Sequence, residues 1–153
     1  MATVSAHIAL EPQSVFDVLS DGWRYTNWVV GTSHMRAVEA DWPAAGSRLF
    51  HCSGPWPIAT RDETIVEEVE PGKRLQLLAK GGPFGSARIE IELEAHEGGT
   101  KITLTETPVA GVAKLLRNPI NDAVLGRRNV ESLARLAAIA EQRTEPVEGS
   151  SQQ

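Results

Sequence analysis

Between Ile120 and Gln142, near the end of the chain, small and apolar side chains recur at alternating steps of four and three. Asp122, Gly126, Asn129, Leu133, Leu136 and Ala140 fall on one helical face, and Arg127, Glu131, Arg135 and Gln142 on the opposite one. The pattern predicts one long amphipathic helix, roughly 35 Å in length at about 1.5 Å per residue. Pro119 suits its first turn, where no N–H is lost and φ is already helical, and Asn118 can cap it. Arg127–Glu131 and Glu131–Arg135 are i,i+4 pairs of opposite sign, as expected on a solvated face. The buried stripe changes along its length. Leu133, Leu136 and Ala140 are packing residues, whereas Asp122, Gly126 and Asn129 are small or polar. Such a face either seals a core and then roofs a cavity, or lets Gly126 and Asn129 lie over a loop near the helix start.

Upstream the period shortens to two. Val4, Ala6, Ile8 and Leu10 alternate with Ser5 and His7, predicting a half-buried strand over Thr3 to Leu10. Glu11-Pro12 ends it and opens a short helix with Val15, Phe16 and Leu19 on its buried side. Asp21-Gly22 breaks that helix, and Trp23, Tyr25 and Trp28 lie in a second short helical piece ended by Gly31. Six strands are predicted from Thr32 to Thr107, separated by Ala44-Ala45-Gly46, Gly54-Pro55-Trp56-Pro57, Pro71-Gly72, Gly81-Gly82-Pro83 and Glu97-Gly98-Gly99. Their limits are Thr32 to Ala40, Ser47 to Ser53, Ile58 to Glu70, Arg74 to Lys80, Phe84 to Ala95 and Thr100 to Thr107. Short connections imply antiparallel pairing between sequence neighbours. Pro108 to Asn118 reads as a linker. A curved antiparallel sheet has one apolar face to cover, and one long helix is available to cover it, so the fold class is α+β.

Composition changes this picture little. At 153 residues the chain suits one domain, expected over 1–143, with a polar, disordered tail over 144–153. No apolar run reaches the roughly 20 residues of a membrane span, so no integral membrane association is expected. MATVSAHIALEP has no signal-peptide character, and the single cysteine, Cys52, fits a reducing cytoplasm. The net charge of −5 argues against a nucleic-acid partner. The oligomeric state stays open.

The order of elements, with certain residues, resembles the START-like superfamily. This is the helix-grip fold of the birch-pollen-allergen group, lipid-transfer domains and aromatic polyketide cyclases, often labelled polyketide cyclase/dehydrase and lipid transport (SRPBCC). The matching residues are Ala9-Leu10-Glu11-Pro12 with Val15-Phe16, then Tyr25-x-x-Trp28 and Gly31. Thr64-x-Val66, Glu70-Pro71, Arg74-Leu75, Gly98-Gly99-Thr100 and Thr105-Glu106 follow. Arg128-Asn129-x-x-Ser132-Leu133-x-Arg135-Leu136 completes them in the last helix. The resemblance covers Thr3 to Gln142. It implies a curved seven-stranded sheet wrapped around the long C-terminal helix, two short helices after the first strand, and a cavity for hydrophobic ligands. Function does not follow from this fold, which hosts carriers, enzymes and regulatory partners.

Candidate chemistry is sparse. His7, His34, His51 and His96 have no metal-ligand spacing, and neither a metal nor another cofactor is expected. Gly81 to Gly85 lacks the Lys-Ser/Thr of a phosphate loop, and no Gly-x-Ser-x-Gly elbow is present. Cys52 reads as a small buried thiol. Thr32, His34 and Arg36 share one strand face and Met35 and Ala37 the other; His34 and Arg36 either face the cavity and read a ligand or lie on a solvated outer face. Phe50 and Cys52 share one strand face and Ser47, Leu49 and His51 the other, with neither marked as inward. Trp28, Trp56 and Phe84 either plug the core ends or touch ligand. Glu106 shares the face of Ile102 and Leu104. If that face is inward, a carboxylate enters the cavity and needs a partner, which Arg127 or Arg128 could supply. Glu106 is then the acid/base candidate. The expected ligand-binding set is Trp28, Phe50, Trp56, Phe84, Glu106, Asp122, Gly126 and Asn129. Three functions are consistent with this reading. They are binding of a hydrophobic or aromatic small molecule, a cyclase/dehydratase-type enzyme with inward polar groups converging, and an interaction module with a filled interior.

Overall fold

The computed structural model of the chain describes residues 1–53, 60–82, 85–115 and 118–142. Strand β1 (Ala2–Ile8) leads into helix α1 (Pro12–Leu19), a 3-10 turn (Gly22–Arg24) and helix α2 (Tyr25–Trp28). Strands β2 (Thr32–Val38), β3 (Arg48–Ser53), β4 (Thr60–Glu70), β5 (Arg74–Lys80), β6 (Ser86–His96) and β7 (Gly99–Ala110) follow. Helices α3 (Val112–Leu115) and α4 (Pro119–Gln142) end the described chain. The seven strands form one sheet in the order β1-β7-β6-β5-β4-β3-β2, with every neighbouring pair antiparallel. This is the expected α+β helix-grip arrangement, with two short helices after the first strand and one long helix last.

Each departure from the sequence pattern has a local cause. The first strand stops at Ile8, because the Leu10 N–H turns back to the Ile8 carbonyl at 2.8 Å. The last strand runs on to Ala110. Pro108 is tolerated there because β1 pairs with β7 only as far as Glu106. The expected linker after it contains α3. In β2, register shifts between Thr32 and His34 and between Met35 and Ala37 replace strict alternation. Thr32, Met35 and Val38 are half-buried, while His34 and Arg36 are exposed. Trp56, Phe84 and the 144–153 tail lie outside the described residues.

The core gathers at one end of α4. Leu133, Leu136 and Ala140 are buried together with Ile8, Val15, Phe16, Leu75 and Ile102. Each large apolar side chain buried there contributes about 1.5–3 kcal/mol. Polar contacts fix the start and the middle of α4. Asn118 Oδ1 accepts the Asn121 N–H at 2.8 Å, capping a helix whose first residue is Pro119. Ser132 Oγ accepts the Val30 N–H at 3.0 Å, tying the α2–β2 link to the helix.

Candidate functional site

Where the stripe on α4 passes from Leu133 to Asn129, packing gives way to space. A void of about 20 Å³ lies beside Trp28, Leu104, Asn129 and Ser132. Next to it a cavity of about 420 Å³ opens between the sheet and the Arg128 end of α4. Val29 and Val30 from the α2–β2 link, Ala79 from β5, and Ala87 and Ile89 from β6 supply its apolar wall.

Two polar groups face this space. The first joins β7 to α4. Glu106 is inward, as its shared face with Ile102 and Leu104 requires, and is only 7 % exposed. Arg128 Nη2 donates to both its carboxylate oxygens, at 2.8 and 2.7 Å, and Asn129 Nδ2 donates to Oε2 at 2.9 Å. Three charge-assisted or polar contacts thus meet the demand that burial places on the carboxylate.

The second group is built on β3, β4 and α2. Leu49 and His51 point inward, which places Phe50 on the outer face between the Arg36 and Arg48 guanidinium groups. His51 Nε2 lies 2.9 Å from Thr64 Oγ1, and its Nδ1 lies 3.4 Å from Ser53 Oγ. The Tyr25 hydroxyl is 3.5 Å from the same Thr64 oxygen, and its ring centroid is 5.3 Å from that of His51. Burial pushes the Tyr25 phenol up to about 12; nearby Glu106 adds to the rise, and Thr64 and Arg128 oppose it. Burial also holds the His51 imidazole below its usual value, with the Asp62 charge opposing the shift and Arg36 reinforcing it. Asp62 is the cross-strand partner of His51 and is 6 % exposed. Thr60 Oγ1 donates to its Oδ2 at 3.1 Å, while its Oδ1 has no hydrogen-bond partner among the described residues.

The structure therefore brings Glu106 and Asn129 together at the smaller void beside the cavity, where Trp28 packs against Tyr25 at a centroid distance of 5.6 Å. Phe50, Asp122 and Gly126 do not join them. Asp122 accepts from the Met1 amino group at 3.1 Å, and a Cβ on Gly126 would meet nothing within 4 Å. Sequence reasoning missed Tyr25, His51, Asp62 and Thr64 as site residues. A signal for two of them exists in β4, where Thr60, Asp62 and Thr64 share alternating positions with the buried Val66. Among the described residues no cluster of three or more His, Cys, Asp or Glu could hold a metal ion. None of the described helices is long and apolar enough to cross a membrane.

The architecture recurs in solved structures. Ara h 8.0201 superposes with a TM-score of 0.70 at 10% identity, covering 92% of this chain and 96% of its own. TTHA0849 from Thermus thermophilus gives 0.69 at 14% identity, covering 94% and 99%. DynU16, from the dynemicin biosynthetic locus, gives 0.69 at 18% identity; the match covers 93% of this chain and 47% of DynU16. At these identities the likeness shows the fold alone. No curated protein matches the chain in sequence. The family profile described as "Polyketide cyclase / dehydrase and lipid transport" matches residues 1–141. Over nearly its whole length, then, the chain belongs to the polyketide cyclase/dehydrase and lipid transport family.

Proposed function

We propose that the protein binds an apolar or aromatic small molecule in the cavity between sheet and α4. The ligand body would lie on Val29, Ala87 and Ile89, with its polar end between the Glu106–Arg128 pair and the His51 side. The observation that carries this reading is the space itself. About 420 Å³ stays open beside an apolar wall, within the roughly 300–1,000 Å³ usual for small-molecule sites. An interaction module with a filled interior would not need it.

Cyclase- or dehydratase-type chemistry is the second reading. It is favoured by the convergence of Tyr25, His51, Asp62 and Glu106 on one space. In it His51 is better suited than Glu106 to accept a proton, because the Glu106 oxygens are taken up by Arg128 and Asn129. The locus of the structurally similar DynU16 fits the same reading.

Titration with a panel of hydrophobic ligands, read by tryptophan emission, tests both. Trp28 borders the smaller void, so occupancy is expected to shift or quench its signal. Ligand recovered unchanged supports binding alone, and chemically altered ligand supports the enzyme. No binding across the panel overturns both.

A further inference from the structure

Asp62 is a buried carboxylate that the protein itself leaves half-satisfied. It sits on the inward face of β4 and is among the residues that line the cavity. Thr60 occupies Oδ2, and Oδ1 is buried without a partner among the described residues. Three nearby side-chain donors among the described residues are engaged elsewhere. Both ring nitrogens of His51 lie against hydroxyls, of Thr64 and Ser53. Arg36 Nη2 donates to the Asp62 main-chain carbonyl at 3.1 Å rather than to its carboxylate. The Lys80 ammonium is 3.2 Å from Glu63. Glu106 shows the contrast, since the same chain gives that carboxylate a full set of donors.

Buried polar atoms are almost always hydrogen-bonded, and an orphaned one calls for a partner from outside the fold. The charges around the cavity point the same way. Glu106 and Arg128 neutralise each other, and Asp62 forms no ion pair among the described residues. We infer that Asp62 recognises a hydrogen-bond donor on the ligand, so that the cavity selects an apolar molecule bearing an O–H or N–H group and rejects an anionic head. The inference rests on the cavity reading above and adds the ligand's chemical class to it.

Four probes of similar size separate the possibilities: 2-naphthol, its methyl ether 2-methoxynaphthalene, 2-naphthylmethylammonium and 2-naphthoate. The full chain is expected to bind the naphthol, the ammonium or both at least about tenfold more tightly than the ether, with naphthoate weakest. Asp62→Ala is expected to weaken the preferred donors by about 10- to 100-fold and to leave the ether unchanged. Asp62→Asn, which keeps an acceptor oxygen but no charge, distinguishes the two sources of the donor. It is expected to lose the ammonium and retain part of the naphthol affinity. Without ligand, Asp62→Asn should keep or raise Tm, because it removes an unpartnered charge. A clear fall in Tm would mean that Asp62 serves the fold, and would overturn the inference. Equal binding of naphthol and ether by the unsubstituted protein would overturn it too, while leaving the cavity reading intact. Failure of the folded protein to bind any probe would end both.

Discussion

Tyr25 is the chain's single tyrosine, so its ionisation can be followed alone by absorbance. With the phenol buried and pushed up to about 12, the native protein is predicted to form tyrosinate near pH 12, and the unfolded chain near its ordinary value of about 10. A native midpoint at the ordinary value would contradict the buried Tyr25–Thr64–His51 cluster. His51 gives a second test. Burial lowers its folded value, so the unfolded chain binds the proton more readily and protonation favours unfolding. Its contribution is therefore present above the unfolded value of about 6.5 and is lost as pH falls from there toward the folded one. Denaturant melts of His51→Gln should show a shallower decline across that window than the unsubstituted protein. Removing the cation from the other polar group strands a buried carboxylate. Arg128→Met is predicted to cost about 2–3 kcal/mol, below the full buried-pair value because the Arg128 side chain is 40% exposed. An unchanged unfolding free energy would contradict the assigned pair. Glu106 was legible beforehand because Ile102 and Leu104 fix its face. His51 was not, because Ser47, Leu49 and His51 mix polar and apolar character on one side and Phe50 and Cys52 do so on the other.

Among the elements, α4 was the most legible, since its period, cap and first proline agree. The residues buried along it are Asn129, Ser132, Leu133, Leu136 and Ala140, close to the stripe read from sequence. What the period could not show is where the helix stops facing the sheet. Asp122 and Gly126 continue the same stripe yet are only half-buried, because they extend past the packed core. Gly126→Ala therefore meets open space. It is predicted to raise stability by up to about 1 kcal/mol through helix propensity alone, measured as a higher Tm. A fall in Tm would mean that a neighbour packs closely there. Strand β2 was the least legible element, because its two register shifts break the alternation on which face assignment depends.

At the scale of the molecule, the strand and helix order was readable because short turns dictate antiparallel neighbours and leave one long helix to cover the sheet. The cavity was legible only as one of two alternatives for the α4 stripe and as an implication of the resemblance; its place and volume were not, since they depend on how far α4 stands from β5 and β6 beyond the last packed leucine. Both consequences can be tested on the whole chain. Ending the protein at Asn118 removes Leu133, Leu136 and Ala140 from a core whose net stability is only about 5–15 kcal/mol, so the shortened chain should not melt cooperatively. A soluble fragment that does would contradict the role given to α4. The central claim is that the space between sheet and helix receives an apolar ligand. An NMR titration of the methyl-labelled protein with 2-naphthol tests it most directly. The predicted result is saturable shift changes, with ligand contacts, at Val29, Ala87 and Ile89, and little change at Ile65 or Ala37. Contacts confined to the exposed Ile120 and Val124 on α4, or no saturable change at all, would contradict it.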